Sequence, residues 1–217
     1  MTRSTPTRLL TLAVFALIAG GCGSASQPAS SPPSVTTTLS GGQPQPAARG
    51  LDCTKADGDV QTLICKDPEL VGLDQQLADE YQHAIGESGA DQNALRSAQD
   101  AWWTGRDDCW KADDVHRCVL DAYRTRLVEL KINDPDTEKP ETITYRCPDP
   151  AKPFTARFYN QFDPPAAVLT WGADSAVVFA EQTGSGARYG RAGVDYWEHQ
   201  GEVTVDFHGS KFVCRTP

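Results

Sequence analysis

The sequence predicts an α+β protein in which a small, disulfide-pinned helical domain is followed by a small antiparallel β-barrel. Three observations carry this prediction. Apolar residues recur at helical spacing between Leu70 and Leu130 and then alternate with polar ones from Ile143 onward. The change of period falls just after Asp134-Pro135-Asp136, a composition that ends a helix and opens a connection. Six cysteines lie beyond residue 22, an even set in a chain with an export signal, which argues for disulfides formed in an oxidising compartment.

The N-terminus is a processing signal rather than part of the fold. Arg3 and Arg8 precede the apolar run Leu9 to Ile18, which is too short to span a bilayer, and Ala19-Gly20-Gly21-Cys22 follows. Residues 1–21 therefore read as a lipoprotein signal, with Cys22 as the lipidated residue and the membrane reached through that anchor. The alternative is an ordinary secretory signal with Cys22 merely adjacent. The ideal motif has a branched aliphatic where this chain has Ala19. Residues 22–50 are then a tether. Beyond Cys22 they are Ser, Pro, Gln, Thr, Gly and Ala except for Val35, Leu39 and a single charge, Arg49, too polar to build a core. Such a chain holds the folded part on the order of 30 Å from its anchor.

Residues 51–134 form the expected helical domain, with 135–142 as linker. Asp67-Pro68-Glu69 starts a helix, with an N-cap carboxylate, proline in the first turn and an acid at the positive end. Leu70, Leu73, Leu77, Tyr81 and Ile85 continue it. Leu95, Ala98, Trp102 and Cys109 mark a second run, and Val115, Val119, Tyr123, Leu127 and Leu130 a third, capped by Asp113-Asp114. The expectation is a bundle of three main helices. Short local bonds, Cys53–Cys65 and Cys109–Cys118, would pin its ends, each worth about 3 kcal/mol on a loop-entropy model. Trp102 falls on the apolar face and reads as core; Trp103 and Trp110 lie off it and read as packing between the domains. His83 and His116 have no paired ligand at i+4 and read as surface residues.

Residues 143–217 read as the barrel. Short alternating segments at Tyr145, Phe154–Phe158, Ala167–Trp171, Ala176–Phe179, Val194–Trp197, Val203–Phe207 and Phe212–Cys214 give seven or eight strands separated by Gly, Asp and Pro turns. Cys147 and Cys214 fall on the first and last of them. A bond between the two would close the sheet where its edges meet, worth about 4 kcal/mol for a loop of this length. No two cysteines have a C-x-x-C spacing, which argues against zinc, and no cofactor is implied.

Charge divides unevenly. Residues 51–141 carry 21 acids against 10 bases, and residues 142–217 carry 8 against 7. The acidity belongs to the helical part. It argues against a nucleic-acid partner and suits a basic protein, because a lobe of one sign speeds encounter with the other.

The candidate site is Gly184-Ser185-Gly186-Ala187-Arg188-Tyr189, set between β-like segments. The glycines permit a tight turn and close approach, leaving Ser185 as a small donor and acceptor at the tip. Such a finger can enter a narrow cleft. A hydrolase reading of Ser185 is weaker: Gly-Ser-Gly is shorter than the G-x-S-x-G elbow and leads into a strand, and nothing orders His199, His208, Asp195, Glu198 or Glu202 into a triad. A phosphate cradle fails as well, since no helix N-terminus follows.

Tyr145-Arg146-Cys147, the finger, Trp197, Glu202-Val203-Thr204-Val205 and Cys214 resemble the MliC family, the periplasmic and membrane-bound inhibitors of c-type lysozyme, across roughly residues 142–217. Asp52-Cys53-Thr54-Lys55-Ala56, Leu63 to Leu70, Leu73-Asp74, Arg106-Asp107-Asp108-Cys109, Cys118, Tyr123 and Arg126 resemble the LprI N-terminal domain across roughly residues 51–132. The resemblance implies a non-catalytic, lipid-anchored inhibitor on the extracytoplasmic face of the cell membrane, with c-type lysozyme as its basic partner. Ser185 matches the cleft-inserting serine and Tyr189 the motif tyrosine, acting either by direct contact or as a core residue that orients the loop. Arg188 would add positive charge near an acidic cleft. A lysozyme cleft holds one protonated and one ionised carboxylate, and a serine hydroxyl can donate to the second while accepting from the first. Trp197 and His199 would form a second contact loop. The family has lysine where this chain has His199, which implies a weaker or pH-dependent second contact. Two alternatives stay open: an envelope module for glycan or another protein, and a serine hydrolase.

Overall fold

The computed structural model describes residues 50–87, 89 and 91–217. The expected signal, Cys22 and all of the tether before Gly50 lie outside the described residues. Four α-helices come first: α1 (Gly58–Lys66), α2 (Pro68–Gly86), α3 (Gln92–Asp107) and α4 (Val115–Asn133). Each of the last three starts on an aspartate. Asp67 accepts from the Glu69 and Leu70 amides at 2.8 and 3.2 Å, with Pro68 in the first turn. The Leu70 amide and then His116 hold its carboxyl below the usual range. Asp91 accepts from the Asn93 and Ala94 amides, and Asp114 from that of Arg117. These contacts satisfy donors that the first turn of a helix leaves free.

Among the described residues there are thus four α-helices, where apolar spacing alone predicts three main ones. The additional helix, α1, is nine residues long and buries only Val60 and Ile64, an i,i+4 pair too short to display a period. Its end is tied by Cys53–Cys65 to the 3-10 turn Cys53–Lys55. Cys109 lies in a 3-10 turn after α3, not on that helix, and bonds to Cys118 in the first turns of α4. Ile64, Leu70, Leu77, Val119, Leu127 and Leu130 belong to the helical core.

A buried polar chain runs through this core. The Tyr123 hydroxyl donates to Asp74 Oδ1 at 2.8 Å and accepts from Arg106 Nη1 at 3.0 Å. Arg106, with no exposed side-chain surface, also donates to Asp107 Oδ1 through Nε and Nη2 at 2.9 and 2.6 Å. Asp74 Oδ2 accepts from the Leu51 amide, tying the entering chain to α2. Burial pushes the Tyr123 hydroxyl far above its usual range, so it remains a neutral donor. Trp102 packs against Tyr123 and donates its Nε1 to the Ala122 carbonyl at 2.9 Å, in the role expected of it. Trp103 and Trp110 differ from expectation: the Arg106 guanidinium lies 4.6 Å from the Trp103 ring within the helical half, and Trp110 is 61% exposed.

The β half is an eight-stranded antiparallel sheet, curled on itself, in simple meander order. Its strands are β1 (Ile143–Thr144), β2 (Phe154–Tyr159), β3 (Ala166–Trp171), β4 (Asp174–Glu181), β5 (Ala187–Arg191), β6 (Val194–His199), β7 (Glu202–Phe207) and β8 (Ser210–Arg215). Alternation is cleanest in β7, where Val203, Val205 and Phe207 are buried while Glu202 and Thr204 are exposed. The interior is aromatic, with Tyr145, Phe154 and Tyr196 in mutual contact. Cys147 lies past the two-residue β1 and not on the first strand as expected; the segment after β1 is joined to β8 by two Arg146–Arg215 backbone hydrogen bonds, each 2.9 Å, and by the Cys147–Cys214 disulfide.

The two halves touch through α4. Val128 and Ile132 pack on Ala166, Val177, Phe179 and Phe162, which lie on or just before β3 and β4. Beside this patch Asp121 accepts from Arg117 Nε and from the Ala192 amide that follows β5, while Arg117 reaches Glu181 at 3.4 Å.

Candidate functional site

The finger is the exposed connection Gln182–Gly186 between β4 and β5. Its shape is set by Gly186, whose φ is +72° and where any Cβ would overlap the Glu198 carbonyl on the neighbouring strand. Gly184 differs: nothing approaches its Cβ position, so the loop itself does not require glycine there. The Ser185 carbonyl accepts from Thr183 Oγ1 at 3.0 Å and from Trp197 Nε1 at 3.2 Å. Those bonds anchor the backbone of the tip. Among the described residues, the Ser185 hydroxyl makes no hydrogen bond.

Trp197 and His199 are brought to the base of the same finger. They occupy β6 and not a separate loop; two residues apart, they share a face, and their rings stack at 5.5 Å with planes 15° apart. The pairing of Ala187 with Glu198 places the end of β6 beside the start of β5. Ser185, Trp197 and the half-buried His199 therefore line one continuous edge.

Arg188 is not the free cation that the sequence suggested. Its guanidinium makes two bonds to Asp195, Nε to Oδ1 at 3.0 Å and Nη2 to Oδ2 at 2.9 Å, and lies 3.5 Å from Glu181. The Asp195 hydrogen bond, reinforced by its charge, raises the guanidinium pKa further. These contacts join three adjacent strands at the root of the finger and neutralise its charge locally. Tyr189 is 8% exposed and sits in the sheet core, paired across strands with Ala180 and Tyr196. Its hydroxyl donates to Asn160 Oδ1 at 3.2 Å, and burial pushes its pKa upward. Of its two suggested roles, this position fits the residue that orients the loop.

The residues considered for hydrolysis do not converge. Asp195 is occupied by Arg188, and His199 lies on the Trp197 ring. His208 follows β7 and bonds through its amide to Gly193, at the opposite end of the β6–β7 hairpin from His199. The six cysteines among the described residues are all in disulfides and so do not ligate metal. No described helix is long and apolar enough to cross a membrane.

The chain is thus a two-part protein, a disulfide-pinned helical half followed by a curled antiparallel meander that carries an anchored finger. Residues 145–213 match the family model described as membrane-bound lysozyme-inhibitor of c-type lysozyme. Over 209 residues the chain is 48% identical to the lipoproteins LprI of Mycobacterium tuberculosis and Mycobacterium bovis, covering 96% of this chain and 99% of theirs. The chain belongs to the LprI lipoprotein family. No solved structure gives a significant match.

Proposed function

We propose that this protein binds a c-type lysozyme and blocks it without catalysis, by placing the Ser185 tip in the catalytic cleft. One observation carries the reading: a backbone-anchored, exposed serine with an uncommitted hydroxyl stands on a β half whose residues match a lysozyme-inhibitor family. The hydroxyl has one donor and two acceptor sites, which suits a cleft holding one ionised and one protonated carboxylate. With Arg188 internally paired, the contact depends on hydrogen bonding and fit more than on a finger charge. Trp197 and His199 supply the flanking surface. The excess acid of the helical half steers encounter with a basic partner.

Titration of lysozyme with the purified protein is expected to give inhibition at near-stoichiometric ratio. Ser185→Ala should keep the fold and lose about 1.5–3 kcal/mol, the range for a hydrogen bond to a charged group, raising the inhibition constant roughly ten- to a hundredfold. A Ser185→Ala protein that inhibits as well as the parent would remove the finger from the mechanism. Turnover of an ester or glycan abolished by the same substitution would instead make the protein a hydrolase.

The anchor is a separate part of the proposal. Cys22 is read as the lipid-bearing residue that holds the protein at the extracytoplasmic face of the membrane. Cys22→Ala is expected to move the protein from the detergent phase to the aqueous phase on partitioning. Unchanged partitioning would refute the assignment.

A further inference from the structure

The helical half contains a groove of about 600 Å³, remote in sequence from the finger, between the C-terminal part of α2, the start of α3 and the end of α4. Ala84, Leu95, Ala98 and Leu130 contribute apolar surface to it, the two alanines leaving room where larger side chains would fill it. Glu80, Glu87, Asp91, Glu129 and Asp134 also line it, five carboxylates against the single guanidinium of Arg126. That balance gives an apolar groove with a negative border.

Arg126 supplies a second, independent observation. Its side chain is 7% exposed, its Nε donates to Gln99 at 2.9 Å and its Nη1 to Glu129 at 3.1 Å, but its Nη2 is buried without a partner. A guanidinium has five donors, and a buried one left without an acceptor is costly. An occupant that stabilises this site therefore brings three things: an apolar body, a positive charge for the border, and an oxygen acceptor for Arg126.

We propose that this groove binds a basic peptide segment of a partner protein, one in which a lysine or arginine neighbours an aliphatic residue and a main-chain carbonyl turns toward Arg126. A metal cation held by Glu80, His83 and Asp134, whose ligand atoms lie within 4.8 Å of one another, would use the border but neither the apolar surface nor the free donor. A lipid tail would use only the apolar surface. The peptide alone satisfies all three requirements, and its binding does not depend on the finger.

The test is a chemical-shift titration of the isotope-labelled protein with a short peptide alternating lysine and leucine. Shifts are expected at Ala84, Leu95, Ala98 and Leu130 and not in the β half. Ala98→Trp, at an exposed helical position, should fill the groove and weaken binding about tenfold or more, equivalent to about 1.4 kcal/mol. Glu80→Gln combined with Glu87→Gln should weaken it while lowering its salt sensitivity, which keeps the test available if the tryptophan variant folds poorly. Equal binding of a peptide alternating glutamate and leucine would overturn the proposal. So would affinity unchanged in both variants, or shifts at Glu80, His83 and Asp134 from zinc ions with none from the peptide.

Discussion

Arg106→Ala is expected to destabilise the protein by about 3 kcal/mol, the lower part of the 3–5 kcal/mol range for breaking a buried ion pair, because Asp107 is 37% exposed and can still be hydrated. The loss has three sources. The Tyr123 hydroxyl loses the donor at 3.0 Å that polarises it toward Asp74, the Trp102 and Trp103 rings lose a guanidinium within 5.3 and 4.6 Å, and a large side chain leaves a fully buried site. Urea unfolding followed by tryptophan fluorescence measures it directly, since two of the five tryptophans flank the site. Tyr123→Phe should cost less, as it strands Asp74 Oδ1 and Arg106 Nη1 without removing the charge pair. A loss under about 1 kcal/mol for Arg106→Ala would mean that water replaces the guanidinium without penalty.

The second large effect is expected at the seam of the sheet. Replacing Cys147 and Cys214 together by serine opens a crosslink across 67 residues, which the loop-entropy model values at about 4 kcal/mol. The rest of the seam is short: an isolated Arg146–Arg215 bridge and one hydrogen bond from Arg146 Nη2 to the Thr216 carbonyl at 2.8 Å. The double variant should unfold at lower urea concentration with the loss centred on the β half, while Cys53→Ser with Cys65→Ser, across 12 residues, should cost about 3 kcal/mol and act on the helices. Equal stability of the Cys147→Ser, Cys214→Ser protein and the parent would show that strand pairing closes the sheet unaided.

What the chain's pattern discloses depends on how local the cause is. Asp67-Pro68 announces α2 because cap and first turn are neighbours in sequence, and Val203, Val205 and Phe207 announce β7 because burial alternates within one strand. β5 is different. Ala187–Arg191 is expected as a strand only as the segment that Gly-Ser-Gly leads into, and its place between β4 and β6 comes from pairing that no local pattern announces. The pairing of Arg188 was hidden for the same reason: Asp195 lies opposite it only once the β5–β6 register is set. The finger was legible from Gly184 to Gly186, but only Gly186 is demanded by geometry, through a carbonyl twelve residues away on β6. The chain Asp74–Tyr123–Arg106 joins residues up to 49 positions apart, and no spacing rule connects them. Family resemblance marked all three residues, and the structure gives them a structural role in the helical core.

The apolar contact between α4 and the outer face of β3 and β4 bears on how the molecule is dissected and how it matures. Val128 is 5% exposed only because Ala166, Val177 and Phe179 cover it, so a helical fragment ending at Asn133 would carry a sticky stripe. Such fragments are prone to self-associate, and an inhibition assay on one would report on clumping as much as on recognition. Expressed as two pieces, the halves should complement one another in trans. As the chain is synthesised, the first half to emerge would wait, with that stripe unclothed, for the second.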